Sequence, residues 1–305
     1  MGEFSNEVFK LMMEDVVNDS FYVEKLSNRG KISEIRKLAE IVVRRILNYS
    51  NEEFVTLGNH DIVTKLKEKS NNNELLLESL MVIKNEGNDG THTQKVEEFS
   101  DETLEIVINN LFNLYSYLLI EYFEKYAFGR NAMVMSSFSI LPPSIRYIVL
   151  NYLYEKDPMN LQVIDKLTLA ILKAKGKSEA IEWIEERKLT LIEMSSVSKK
   201  AEENIIGKLG FEVATVFLAE RPNMYDLCKT RVIEVSKQIE KMGPRYTSFE
   251  NAVDLYREKG VLIGEEDEII AFNSIMQFLY LGRQREDNEL LDEKYSSYYL
   301  STDGK

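Results

Sequence analysis

The stretch from residue 101 to 126 constrains this fold most, because Leu104, Val107, Ile108, Leu111, Leu114, Tyr115, Leu118 and Tyr122 recur at steps of three and four. A strand puts alternate residues on one face, so this pattern cannot be laid on a sheet. Ser100 and Asp101 supply a helix start. With only 14 Gly and 5 Pro in 305 residues, the chain lacks the turn formers that a sheet-rich fold of this length needs. The expectation is an all-α protein.

The same period predicts helices over 33–47, 61–69 and 74–83, with a turn at Asn71–Asn73 and a bend over 85–94, where Gly87, Asn88, Asp89 and Gly90 cluster. Asp61 is the expected cap of the second of these. Gly129 and the Pro142–Pro143 pair break the helical run over 128–143, which is read as the domain boundary. Beyond it, helices are predicted over 144–154, 161–174, 178–187, 202–218, 225–242, 249–259 and 266–281, with Thr247 and Glu250 at capping-box spacing and Gly260 as a C-terminal cap. Three segments result: an N-terminal helical bundle over 1–128, a helical-hairpin region over 143–285, and an acidic, then Tyr- and Ser-rich tail over 286–305. Within the second, Pro158, Asn160, Ala170, Gly176 and Ala180 fall in the order of one tetratricopeptide-type hairpin, which that region resembles. An ordinary antiparallel helix pair explains the same residues.

Charge and composition limit the chemistry. One cysteine, Cys228, excludes an intramolecular disulfide framework and a Cys-based zinc cluster. No metal ligand set or cofactor is expected. Glu3, Glu7 and Glu14 stand where a secretory signal needs a basic segment. The apolar run 106–120 holds three Asn and is too short to span a bilayer. A cytoplasmic protein without a membrane segment is expected. A net charge of −13 opposes broad nucleic-acid affinity, leaving a local basic ladder of Arg36, Arg44 and Arg45 as the candidate phosphate-binding surface.

The chemical signal lies in Lys84-Asn85-Glu86-Gly87-Asn88-Asp89-Gly90-Thr91-His92. Basic-x-x-Gly-Asn-x-x-x-His, together with the Ile35–Glu40 helix segment, resembles a prokaryotic branch of the HEPN domains, helical bundles of toxins and defence proteins, over residues 20–128. The resemblance implies a metal-independent ribonuclease in which a 2′-hydroxyl attacks the adjacent phosphate, with His92 working on the proton and Asn88 orienting. In the active branch an Arg immediately precedes the Asn; here Gly87 holds that place, and Lys84, one turn earlier, is the nearest cation in sequence. The imidazole pKa suits proton transfer near neutral pH, and a cation stabilises the crowded phosphate. His60 is read as structural, and Arg36 with Glu40 as an ion pair. The resemblance also implies a homodimer forming a composite site, and the aromatic surplus of 101–126 (Phe112, Tyr115, Tyr117, Tyr122) suggests a partner face there. Two functions stay open: a HEPN-type effector of a defence or toxin system that cleaves RNA, or a non-catalytic module that dimerises and binds a protein through its C-terminal helices.

Overall fold

A computed structural model describes residues 3–91, 96–244 and 246–285. Among the described residues the protein is 74% helical, in fifteen α-helices, with no strand. The all-α expectation holds. The described chain divides into two compact units, one made of the residues up to 127 with 132–140 and 252–285, the other of 128–131 and 141–251.

The first unit contains α1 (Asn6–Phe21), α2 (Asn28–Leu47), α3 (His60–Lys69), α4 (Glu74–Thr91), α5 (Asp101–Lys125) and α6 (Ala132–Phe138). In α2, Ser27 accepts from the Gly30 amide at the start, Asn48 closes the end at φ +56°, and Ile32, Ile35, Leu38, Ala39, Val42 and Ile46 form the buried stripe. The cap of α3 is Asn59 rather than Asp61, its Oδ1 accepting from Asp61 and Ile62 amides at 2.8 and 3.3 Å. α1 was not predicted, although Phe9, Met13, Val16 and Val17 give it a buried face. The expected bend over 85–94 is also corrected, since α4 runs on through Thr91. His92 lies outside the described residues.

The second unit contains α7 (Pro143–Lys156), α8 (Leu161–Lys175), α9 (Lys177–Glu186), α10 (Lys188–Glu193), α11 (Lys199–Leu209), α12 (Phe211–Ala219) and α13 (Met224–Met242). Asn160 caps α8, Gly176 at φ +101° joins α8 to α9, and Ala170 and Ala180 are fully buried. Pro158 sits in the connection before that cap. The single helix expected over 202–218 is two, because Gly210 at φ +77° interrupts it.

The chain ends its described part with α14 (Phe249–Leu255), a π-helical turn over Tyr256–Gly260, and α15 (Asp267–Tyr280). At the entry to α14, Ser248 Oγ accepts from the Asn251 amide at 3.2 Å, one residue later than the expected Thr247 and Glu250 box. Residues 252–285, read in the sequence with the second segment, group with the N-terminal bundle. Phe272 lies 5.2 Å from Tyr122, and Phe278 lies 6.4 Å from Tyr115 and 5.9 Å from Phe4. Ser137 of α6 donates to the Gly260 carbonyl at 2.6 Å. Of the four rings of α5 named above, Tyr115, Tyr117 and Tyr122 are buried within the chain and Phe112 is half-buried, so those three tyrosines give no ground for a partner surface. No described helix is long and apolar enough to cross a membrane. The tail over 286–305 lies outside the described residues.

Candidate functional site

The motif's described residues, Lys84 to Thr91, form the last turns of α4, where it crosses α2. Lys84, Gly87 and Asn88 stand at i, i+3 and i+4, one face of the helix. Gly87 is buried against α2; a Cβ there would meet Arg36 Cδ at 2.7 Å and Cβ at 3.0 Å. The missing side chain leaves room for the aliphatic stem of Arg36. Arg36 lies across Gly87, its Nη1 donating to Asn88 Oδ1. One turn on along α2, Glu40 pairs with Arg36 at 3.6 Å. Burial raises the Glu40 pKa above the ordinary carboxylate value, against the opposing pull of Arg36 and a backbone hydrogen bond at Leu57. Lys84 is half-buried and, with Leu57, Gly58, Leu66 and Leu80, borders a small cavity of about 50 Å³. Arg36, Glu40, Lys84 and Asn88 therefore gather around the crossing of the two helices and the Leu57–Gly58 segment.

Arg29, which the sequence reading passed over, lies on the same side of α2, two turns before Arg36. Its guanidinium donates to the Asp89 carbonyl at 3.2 Å and to the Glu97 carbonyl at 3.0 Å, and sits 5.0 Å from the Phe99 ring centroid. It ties together the chain on either side of residues 92–95. The i, i+7 spacing of the two arginines was the available signal. Asn28 reinforces the tie through the Phe99 carbonyl at 3.0 Å and Asp101 Oδ1 at 2.9 Å.

The other two members of the basic ladder turn away from this place. Arg44 donates to the Ser50 and Glu53 carbonyls at 2.8 and 2.7 Å. Arg45 donates to Asn6 Oδ1 at 2.7 Å and Ser274 Oγ at 3.0 Å and lies between the Phe4 and Phe278 rings. Burial lowers its pKa to about 10. Both guanidiniums hold the bundle together, and among the described residues Arg36 is the member of the ladder that meets the motif. His60 is the first residue of α3. Among the described residues, no group of three or more His, Cys, Asp or Glu is arranged to hold a metal ion.

What the cluster offers chemically is a planar guanidinium and a carboxamide in direct contact, with an ammonium-bearing side chain one turn away on the same helix. Two donors of this kind match the oxygens of a phosphodiester. No family model, curated protein or solved structure matches the chain.

Proposed function

We propose that the first unit is a HEPN-like effector of a defence or toxin system that engages RNA phosphate through Arg36 and Asn88 and cleaves it without a metal, using His92. The supporting observation is the Arg36–Asn88 hydrogen bond over Gly87. The family's motif carries its guanidinium on the residue before Asn; in this chain one reaches the same Asn from α2. In the reaction the 2′-oxygen bonds to phosphorus as the bond to the 5′-oxygen breaks. His92 accepts the 2′-hydroxyl proton, a proton returns to the leaving oxygen, and Arg36 balances the charge on the phosphate oxygens.

The test is RNA cleavage by the full chain in EDTA. His92→Ala and Arg36→Ala are each expected to lower the rate by about 100-fold. Gly87→Arg alone should be inactive, because the new side chain meets Arg36. Gly87→Arg combined with Arg36→Ala moves the guanidinium to the motif position and should recover activity over Arg36→Ala alone. Cleavage that survives His92→Ala and stops with EDTA would overturn the mechanism.

The second reading, a non-catalytic interaction module, draws on Arg44 and Arg45 being engaged inside the bundle and on apolar side chains exposed in α11 and α12. A folded chain that cleaves none of a range of RNAs would favour it.

A further inference from the structure

Within the second unit, the segment from Ser196 to Pro222 starts and ends at neighbouring points of the chain. An isolated antiparallel bridge pairs Ser195 with Asn223, and the Met224 amide donates to the Met194 carbonyl at 2.9 Å, pinching the base. Between these ends α11 and α12 form a hairpin about Gly210 and pack on each other. Ser198 caps α11 by accepting from the Ala201 amide, so its start is locally encoded.

What this arm lacks is a core. α11 buries no residue, and α12 buries only Ala214. Yet α12 reads Phe-Glu-Val-Ala-Thr-Val-Phe-Leu-Ala, apolar almost all round, and a helix of that kind is ordinarily covered on most sides. Phe211 is 72%, Val216 63%, Val213 59% and Leu209 47% exposed. Four apolar side chains this open on one short hairpin mark a contact surface rather than scattered surface residues.

We propose that a second copy of this chain covers the arm, the two hairpins closing into an antiparallel four-helix bundle. Charge favours this partner. Within 196–222, Lys199, Lys200, Lys208 and Arg221 balance Glu202, Glu203, Glu212 and Glu220, so the arm is neutral while the chain carries −13. Two copies that repel over most of their surface can meet there without that penalty. A bilayer surface is favoured by a basic polar face, which this arm does not have. Geometry agrees, since a two-helix hairpin is half of a four-helix bundle and a two-fold axis supplies the other half with an identical apolar face.

Sedimentation velocity on the full chain over a concentration series up to about 50 µM should show a monomer–dimer equilibrium. Val213→Lys with Val216→Lys should weaken it at least about 100-fold, because both charges fall inside the new bundle. Both positions are exposed in the single chain, so helix content by circular dichroism should not change. As a second measurement, Val216→Cys should give a disulfide-linked dimer on mild oxidation, since the native Cys228 is fully buried. A chain that stays monomeric overturns the proposal, whether or not it then binds vesicles or another protein. So does a dimer that the double lysine variant leaves intact.

Discussion

Arg36 and Glu40 show how one ion pair serves both packing and charge at the helix crossing. Glu40 is held above its ordinary pKa chiefly by burial, so folding favours its protonated form. Its contribution to stability is therefore fully present below the unfolded-state pKa and is lost as pH rises through the folded pKa. Glu40→Gln removes that loss. The expected outcome is a difference in unfolding free energy, variant minus parent, that moves in favour of Gln as pH rises from about 4 and levels off above the folded pKa, measured by urea titration across the range. A difference that does not vary with pH would show that Glu40 titrates as it does in the unfolded chain. At this scale the sequence was legible in part. Spacing alone identified the Arg36–Glu40 pair, because i, i+4 neighbours touch on any helix. It could not show that Asn88, 52 residues away, meets Arg36, nor that Arg44 and Arg45 serve backbone carbonyls and a serine hydroxyl. Charge predicts exposure only until a carbonyl or an aromatic ring lies within reach.

Helix α4 explains why Gly, Asn and Asp near residue 90 were read as a bend. Each disfavours a helix by local propensity, by up to about 1 kcal/mol for Gly. Tertiary packing overrides that preference where α4 meets α2, and the two glycines do different things there. A methyl at position 87 would press on Arg36 at 2.7 to 3.1 Å, whereas one at position 90 finds the Arg29 carbonyl at 3.5 Å and Ile32 at 3.8 Å, ordinary contact distances. Gly87→Ala should therefore destabilise by about 1–2 kcal/mol, overpacking exceeding the propensity gain. Gly90→Ala should stabilise by up to about 1 kcal/mol. Chemical denaturation of the pair checks both signs, and a stabilising Gly87→Ala would mean that the crossing is looser than described. Elements with a strong apolar stripe, α2, α5 and α8, were readable because periodicity survives any tertiary context. Details that depended on one residue did not survive: Gly210 splits one expected helix in two, and the cap of α14 is Ser248 rather than Thr247.

At the scale of the molecule, the first unit is discontinuous in sequence, and its stability depends on residues that arrive last. The face of α5 that looked like a surplus is covered by α15, through Phe272 on Tyr122 and Phe278 on Tyr115. Asn6 and Arg45 fasten α1 and α2 to Ser274 at 2.9 and 3.0 Å. The buried side chains of α15, among them Ile269, Phe272, Met276, Phe278 and Leu279, each contribute about 1.5–3 kcal/mol by removal from water. That sum is comparable with the whole net stability of a domain. A chain truncated after residue 251 should thus lose tertiary order in the first unit while the second keeps it, because α7, α8, α9 and α13 bury their apolar faces within 141–251. The expected signature is strong dye binding to exposed apolar surface and fast amide exchange in α5, with slow exchange retained in α8 and α13. A fragment ending near residue 128 uncovers the same rings, and self-association by it would report lost intramolecular cover rather than a native interface. If the truncated chain keeps slow exchange throughout α5, then α15 is an accessory to the bundle and not part of its core.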